Sequence, residues 1–173
     1  MKPIVKPVSL ETVLTRSASG WYFLHISPEI ARRFETDGKT RRVVCTLNES
    51  HTFQCALMPN KGRFTIGVSQ PVRKKLDLND GDMVTVQLEP DKSRYGMPMP
   101  EDFAEVLRQD QEGDRLFHGL TSGMQRSLLY LIANPKDIDK RIHLGLIVLE
   151  HLKDNGGKID VEQLHEDIKR PLF

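Results

Sequence analysis

The spacing of apolar residues changes once along this chain of 173 residues, and this change constrains the fold most strongly. Between residues 8 and 89 apolar side chains recur at every second position, as in Val43, Cys45 and Leu47. Such alternation predicts strands with one buried face and one wetter face. Beyond residue 100 the spacing becomes three or four residues, which is typical of amphipathic helices. The sequence therefore predicts an α+β protein whose strands come first.

Short alternating segments in the first half predict a small β-barrel of five to six strands, because closure removes exposed sheet edges. The segments are 21–26, 42–47, 53–57, 63–68 and 84–88, with a weaker sixth around 10–14. Turns are predicted at 48–51 and at 60–62, where Gly62 can adopt positive φ. Two short helices are predicted within this half, over 28–34 and 72–76, and Ser27 is the expected N-cap of the first.

Prolines at 90, 98 and 100 separate this half from the helical half. We therefore predict a barrel domain over 8–91, a linker over 92–100 and a helical region over 101–170. Helices are predicted over 101–110, 121–133, 136–153 and 160–169. One apolar stripe of the third helix is expected to pack on its neighbours; its members are Ile138, Ile142, Leu146, Leu149 and Leu152.

The overall charge argues against a strongly electrostatic partner for the whole molecule, because 25 Lys and Arg residues nearly balance 24 Asp and Glu residues. No apolar run has the length of a signal peptide or a membrane span. The two cysteines, Cys45 and Cys55, do not form a Cys-x-x-Cys pair. These features favour a cytoplasmic protein with reduced thiols and no membrane partner.

The order of several short motifs resembles the YdeI/OmpD-associated family, also labelled bacteriocin-protection proteins. The motifs are WYFLHISP at 21–28, RRVVCTLN at 41–48, GRFTI at 62–66 with VRKKL at 72–76, GDMVTV at 81–86 with EPD at 89–91, and PEDF at 100–103 with KRI at 140–142. The resemblance covers residues 10–152. The family usually carries a Thr-Arg pair ahead of the last basic cluster, whereas residues 137–141 here read DIDKR.

This resemblance implies a bacterial protein with a double-split barrel, related to AbrB-like barrels, and a helical C-terminal region. It implies little about activity, because the molecular activity of the family is largely undefined. AbrB-like barrels include DNA-binding dimers, so the resemblance also raises a nucleic-acid hypothesis. The residues that would contact phosphates are Arg41, Arg42, Arg73, Lys74 and Lys75. Interleaved acidic residues favour a solvated charged surface instead.

The remaining motifs favour structural roles. Gly81 and Asp82 predict a tight turn, in which the glycine takes unusual φ and the carboxylate accepts backbone N–H groups. If three residues form the loop after residue 47, Cys45 and Cys55 should face each other as core thiols. His25 is expected to share the apolar face of its strand with Trp21.

No catalytic motif is present, and no histidine or cysteine spacing matches a metal site or requires a cofactor. The leading hypothesis is therefore a non-enzymatic interaction protein, in stress or bacteriocin protection, with an unknown protein partner. Nucleic-acid binding is the first alternative. The second is a ligand-binding barrel or enzyme with a pocket between barrel and tail that includes Trp21 or His25. The oligomeric state stays open, with a dimer as one option.

Overall fold

The computed structural model describes residues 5–35 and 41–171 of the chain. They form two compact units, the first ending at Gly96 and the second beginning at Met97. The first unit contains a curled antiparallel sheet and the second contains helices, so the predicted α+β class is confirmed. None of the described helices is both long enough and apolar enough to cross a membrane.

The first unit contains seven strands and two short helices, in the order β1 Val8–Arg16, β2 Tyr22–Ile26, α1 Pro28–Arg32, β3 Arg42–Leu47, β4 His51–Ala56, β5 Met58–Asn60, β6 Arg63–Gly67, α2 Gln70–Leu76 and β7 Met83–Pro90. The second unit contains α3 Glu101–Gln109, α4 Gln111–His118, α5 Ser122–Ala133, α6 Ile138–Asp154 and α7 Val161–Asp167.

The sheet curls into a half-barrel. Its strand order is β4-β3-β7-β1-β2-β6-β5, and every neighbouring pair is antiparallel. The outermost strands β4 and β5 are separated in the chain only by Leu57, so the two edges of the sheet must approach each other. The sheet has one strand more than the five to six predicted. The extra strand is the three-residue β5, in which Pro59 interrupts the alternating pattern.

The long first strand joins the two halves of this sheet. Residues 8–13 pair with β7, whereas residues 14–16 pair with β2 on the other edge of the strand. Apolar side chains from the concave face fill the core, and these include Leu14, Leu24, Val43, Ile66 and Val86, all fully buried.

The predicted buried face of β2 is wrong. Leu24 and Ile26 point into the core, whereas Trp21 is 69% exposed and His25 is half-buried. Residues of apolar or amphipathic type occupy every position of this segment, so alternation alone does not choose between its faces. The choice comes from pairing, which sets Leu24 directly opposite Leu14.

The predicted arrangement of the two cysteines is also wrong. Leu47 pairs with His51, so the loop has three residues as supposed, but this register sets Cys45 opposite Phe53 and Cys55 opposite Val43. The thiols are therefore diagonal neighbours on one face, and both are free. A hydrogen bond with Cys55, together with burial, raises the pKa of the Cys45 thiol. Cys45 is thus held in its neutral, unreactive form.

The helical unit packs around two aromatic rings. Phe103 of α3 and Phe117 of α4 meet edge-to-face with centroids 5.3 Å apart, and both are fully buried. Gly145 of α6 allows this close packing, because a Cβ there would lie 2.8 Å from a ring carbon of Phe103. Helix α4 was not predicted, since Gly113 in its interior weakens the helical pattern.

The predicted stripe of α6 is wrong in part. Leu149 and Leu152 are buried, but Ile138 and Leu146 are 58% and 46% exposed. The buried face of the helix instead runs through Gly145, Val148, Leu149 and Leu152. Three apolar residues of the predicted stripe, Ile138, Ile142 and Leu146, therefore lie at or near the surface.

A buried histidine joins the last two helices. The Nε2 atom of His151 accepts a hydrogen bond from the Asp160 N–H at 3.1 Å, which places the ring proton on Nδ1. Nδ1 donates to Asp167 Oδ2 at 2.9 Å, and the other oxygen of Asp167 accepts from Gln163 and Arg170. Both ring nitrogens are therefore used in holding α7 against α6, which is a structural role.

Candidate functional site

The convex face of the half-barrel carries large apolar side chains on three neighbouring strands. Val13 of β1 lies directly opposite Met83 of β7, and on the other side Thr15 of β1 lies opposite Phe23 of β2. Trp21 precedes Phe23 by two positions and so shares its face. We call the set Val13, Trp21, Phe23 and Met83 the outer strip.

Three members of the outer strip are well exposed. Trp21 is 69% exposed, Met83 60% and Val13 40%, while Phe23 is half-buried. Single exposed apolar residues are normal on a protein surface, whereas several on one face of neighbouring strands favour a surface that binds a partner. Tryptophan and methionine are also enriched at the centres of interfaces. The outer strip therefore has the composition of a docking surface.

A tight turn between β1 and β2 fixes the backbone that carries Trp21. The Ser17 N–H donates to the Trp21 carbonyl at 2.7 Å, and the Trp21 N–H donates to Ser17 Oγ at 3.0 Å. Gly20 completes the turn with a φ of 87°, a conformation that costs glycine little. The indole is thus presented from a fixed backbone, which lowers the entropy that binding would cost.

A second turn fixes the start of β7 and thereby Met83. Gly81 has a φ of 89°, and Asp82 Oδ2 accepts from the Asn79 N–H at 2.7 Å. The Gly81 N–H donates to the Leu14 carbonyl at 2.8 Å, and the Leu14 N–H donates to the Asp82 carbonyl at 2.9 Å. Gly81 and Asp82 therefore hold the turn and fasten it to β1.

Five basic residues were predicted from the sequence to contact phosphates. Two of them, Arg41 and Arg42, instead contact other residues of the first unit. The Arg41 guanidinium lies 4.6 Å from the centroid of the Phe64 ring and pairs with Glu35 at 3.1 Å. Arg42 instead donates from Nη2 to the Gly96 carbonyl at 2.8 Å. The two side chains thus contact different neighbours and do not form one cationic surface.

The other three basic residues lie on α2, and they differ from one another. Arg73 stacks on Tyr22, with its guanidinium 3.7 Å from the ring centroid, and donates to the Val68 carbonyl at 2.8 Å. Lys74 and Lys75 are exposed. Of these five residues, only Lys74 and Lys75 have side chains that form no hydrogen bond, ion pair or ring contact within the part of the chain that the structure describes. Two available cations are fewer than a stable site for a phosphate backbone uses.

The histidines and cysteines form no metal centre within residues 5–35 and 41–171, where no group of three or more potential ligands converges. His25 is half-buried, and its Nδ1 has no hydrogen-bond partner among the described residues. Trp21 is exposed on the convex surface.

Residues 11–88 match the family described as Domain of unknown function (DUF1905). The matched segment contains every residue of the outer strip and runs from β1 into β7. No curated protein matches the chain.

Sequence reasoning identified one residue of this surface, Trp21, but assigned it to the wrong face of its strand. Val13 and Met83 were missed. The sequence signal that could have identified them is an apolar residue on the solvent-facing side of an alternating strand, where a polar residue is usual. That signal becomes specific only when the pairing of β1 with β7 and β2 brings such residues together.

Proposed function

We propose that this chain is a non-enzymatic, cytoplasmic protein-interaction module and that the outer strip is its docking surface. The observation that carries the proposal is the exposure of Val13 and Met83 on a paired position of β1 and β7, together with that of Trp21 immediately before β2. Each large apolar side chain gains about 1.5–3 kcal/mol when it is removed from water. A protein partner with a complementary apolar pocket supplies that burial.

The cytoplasmic part of the proposal is supported by the two cysteines, which are diagonal neighbours yet remain free thiols. The biological part, a role in stress or bacteriocin protection within the YdeI/OmpD-associated family, is supported by the ordered motifs between residues 21 and 142. The match of residues 11–88 to a domain of unknown function adds no activity to this proposal.

Protein binding is favoured over nucleic-acid binding by the chemistry of the exposed groups. The convex face offers apolar and aromatic side chains, whereas three of the five proposed phosphate ligands are engaged within the half-barrel. A nucleic-acid site would instead need several free cations on one face.

The test is affinity capture from cell extract with matched variants of the full chain. The double variant Trp21→Ser and Met83→Ser removes most of the exposed apolar surface of the strip. Tyr130→Ser, which removes a comparably exposed aromatic residue on α5, is the control. We expect wild type and control to retain the same partner and the double variant to lose at least about tenfold of it.

Circular dichroism checks that each variant is folded. Capture of the same proteins by all three forms contradicts the proposal, and so does an absence of partners with wild type. Retention of wild type on duplex DNA at low salt, lost in Lys74→Ala with Lys75→Ala, would favour the nucleic-acid alternative.

A further inference from the structure

Both cysteines of the chain lie on the core face of two strands at one edge of the sheet. Cys45 belongs to β3 and is fully buried, whereas Cys55 belongs to β4 and is half-buried. Strand β4 is outermost in the sheet and pairs with β3. We call Cys45 and Cys55 the thiol pair.

The two members of the thiol pair contact each other. The register sets Phe53 opposite Cys45 and Val43 opposite Cys55, so the cysteines are diagonal neighbours whose side chains project to the same face. A hydrogen bond joins the two thiols, so no other side chain lies between their sulfur atoms. Intramolecular placement of this kind greatly favours reaction between two groups.

The direction of the hydrogen bond gives the two thiols different roles. The bond raises the pKa of the Cys45 thiol, which identifies Cys45 as the donor and Cys55 Sγ as the acceptor. Burial raises the pKa of Cys45 further, and a buried thiol that keeps its proton does not attack an oxidant from solvent. That attack therefore falls to Cys55, the more accessible member of the pair.

We infer that the thiol pair is a site of reversible oxidation, at which hydrogen peroxide converts Cys45 and Cys55 into an intramolecular disulfide. First, Cys55 Sγ attacks one peroxide oxygen and the O–O bond breaks, which gives a sulfenic acid on Cys55 and one molecule of water. Next, Cys45 Sγ attacks Cys55 Sγ, and the proton of Cys45 leaves with the hydroxyl group as a second water. The thiols lose two electrons and two protons, and these reduce the peroxide to water.

The position of Cys55 on an edge strand allows the movement that the new bond requires. Cα atoms of diagonal neighbours are roughly 7–8 Å apart, whereas a relaxed disulfide joins Cα atoms about 4.4–6.8 Å apart. No second strand pairs with the other edge of β4 within the described part of the chain, so β4 can shift against β3. A disulfide formed under such strain is readily reduced again, as regulatory disulfides are.

Oxidation of the thiol pair changes how the edge strand is held. In the reduced chain, β4 is held by strand pairing and by a hydrogen bond of 2.9 Å between Thr46 Oγ1 and Thr52 Oγ1. The disulfide adds a covalent link between β3 and β4, so this edge cannot separate until a thiol reductant restores the pair. The outer strip lies on β1, β2 and β7, and the inference therefore does not depend on the proposed docking function.

The test treats the full chain with hydrogen peroxide and then measures free thiols and intact mass under denaturing conditions. Wild type should lose both thiols and about 2 Da, should stay monomeric on a non-reducing gel, and should regain both thiols with dithiothreitol. Wild type that keeps both thiols overturns the inference, and so does wild type that forms a disulfide-linked dimer.

Single substitutions separate the roles of the two thiols. In Cys45→Ala the sulfenic acid on Cys55 has no partner, so dimedone should label Cys55 at least about tenfold more than in wild type. Cys55→Ala is the matched control, in which the same dose should leave Cys45 reduced because its burial remains.

Equal dimedone labelling of wild type and Cys45→Ala contradicts the assigned roles. Oxidation of Cys45 in Cys55→Ala at the rate of Cys55 in Cys45→Ala contradicts them as well. Circular dichroism checks that both variants are folded, and the thiol measurement on wild type does not depend on either of them.

Discussion

The half-barrel and the helical unit place their charged side chains differently. In the half-barrel, arginines lie against aromatic rings, as Arg73 does on Tyr22, and strand pairing connects distant parts of the chain. In the helical unit, side chains of α6 reach neighbouring segments: Arg141 and Lys153 form ion pairs with Asp102 and Asp110, and His151 forms a hydrogen bond with Asp167. Helices satisfy their backbone hydrogen bonds internally, so side chains must fix how they pack.

Among the substitutions that test this difference, removal of the buried His151 side chain should change the free energy of unfolding most. His151→Ala leaves the Asp160 N–H and an oxygen of Asp167 without their partner in a buried site. We expect a loss of roughly 3 kcal/mol in the free energy of unfolding, measured by urea denaturation followed by far-UV circular dichroism.

The matched control is His165→Ala, which removes an exposed histidine from α7. It should change the free energy of unfolding by no more than about 0.5 kcal/mol. Amide hydrogen exchange should show the loss of protection for His151→Ala in α6 and α7. Equal effects of the two substitutions would show that the buried pair does not hold the helices.

A smaller effect is expected at the turn of the half-barrel. Gly81→Ala forces a side chain into a φ of 89°, and we expect a cost of about 1 kcal/mol. The measurement is the same denaturation experiment, combined with exchange of the Leu14 and Asp82 amides.

Gly67→Ala is the control for this turn, because a Cβ at Gly67 meets no atom within 4 Å and its φ is not positive. It should be close to neutral or slightly stabilising. If both substitutions are neutral, conformational freedom at Gly81 is not what the turn requires.

The smallest expected effect is a change in acid sensitivity of the helical unit. Hydrogen bonds from His151 and Gln163, with the charge of Arg170, hold the pKa of Asp167 below its usual range. The resulting stabilisation is fully present above the unfolded pKa of about 4 and is lost as pH falls through the lower folded value.

Asp167→Asn should therefore make the decline in stability below about pH 4 shallower than in wild type. Denaturation midpoints measured at several acidic pH values test this. An identical slope for the two proteins would show that ionisation of Asp167 does not contribute to the stability of the native state.

Local patterns in the sequence predicted the element types well. The alternation of Val43, Cys45 and Leu47 corresponds to a strand whose three side chains are fully buried. Ser27 caps α1, as its position before Pro28 indicated. The two elements that were not predicted contain residues that disfavour their secondary structure, Pro59 in β5 and Gly113 in α4. Long-range packing overrides such local preferences.

The candidate surface was harder to predict because it depends on residues far apart in sequence. The outer strip needs Met83 beside Val13, some seventy positions earlier, and strand register alone sets that pairing. On α6, Gly145 packs against Phe103 and Leu149 is buried, whereas Leu146 is 46% exposed, and helical spacing alone does not distinguish the two leucines.

The sequence by itself determined the order of strands and helices, because periodicity and capping act over a few neighbouring residues. It also set the inner face of strands such as β3, where Val43, Cys45 and Leu47 lie on one face and the polar Arg42 and Thr46 lie on the other. Only the tertiary structure decided which apolar residues stay exposed, Trp21 on the half-barrel and Leu146 on α6. Where both faces of an element are apolar, burial is chosen by contacts with distant segments, and these contacts depend on the whole fold.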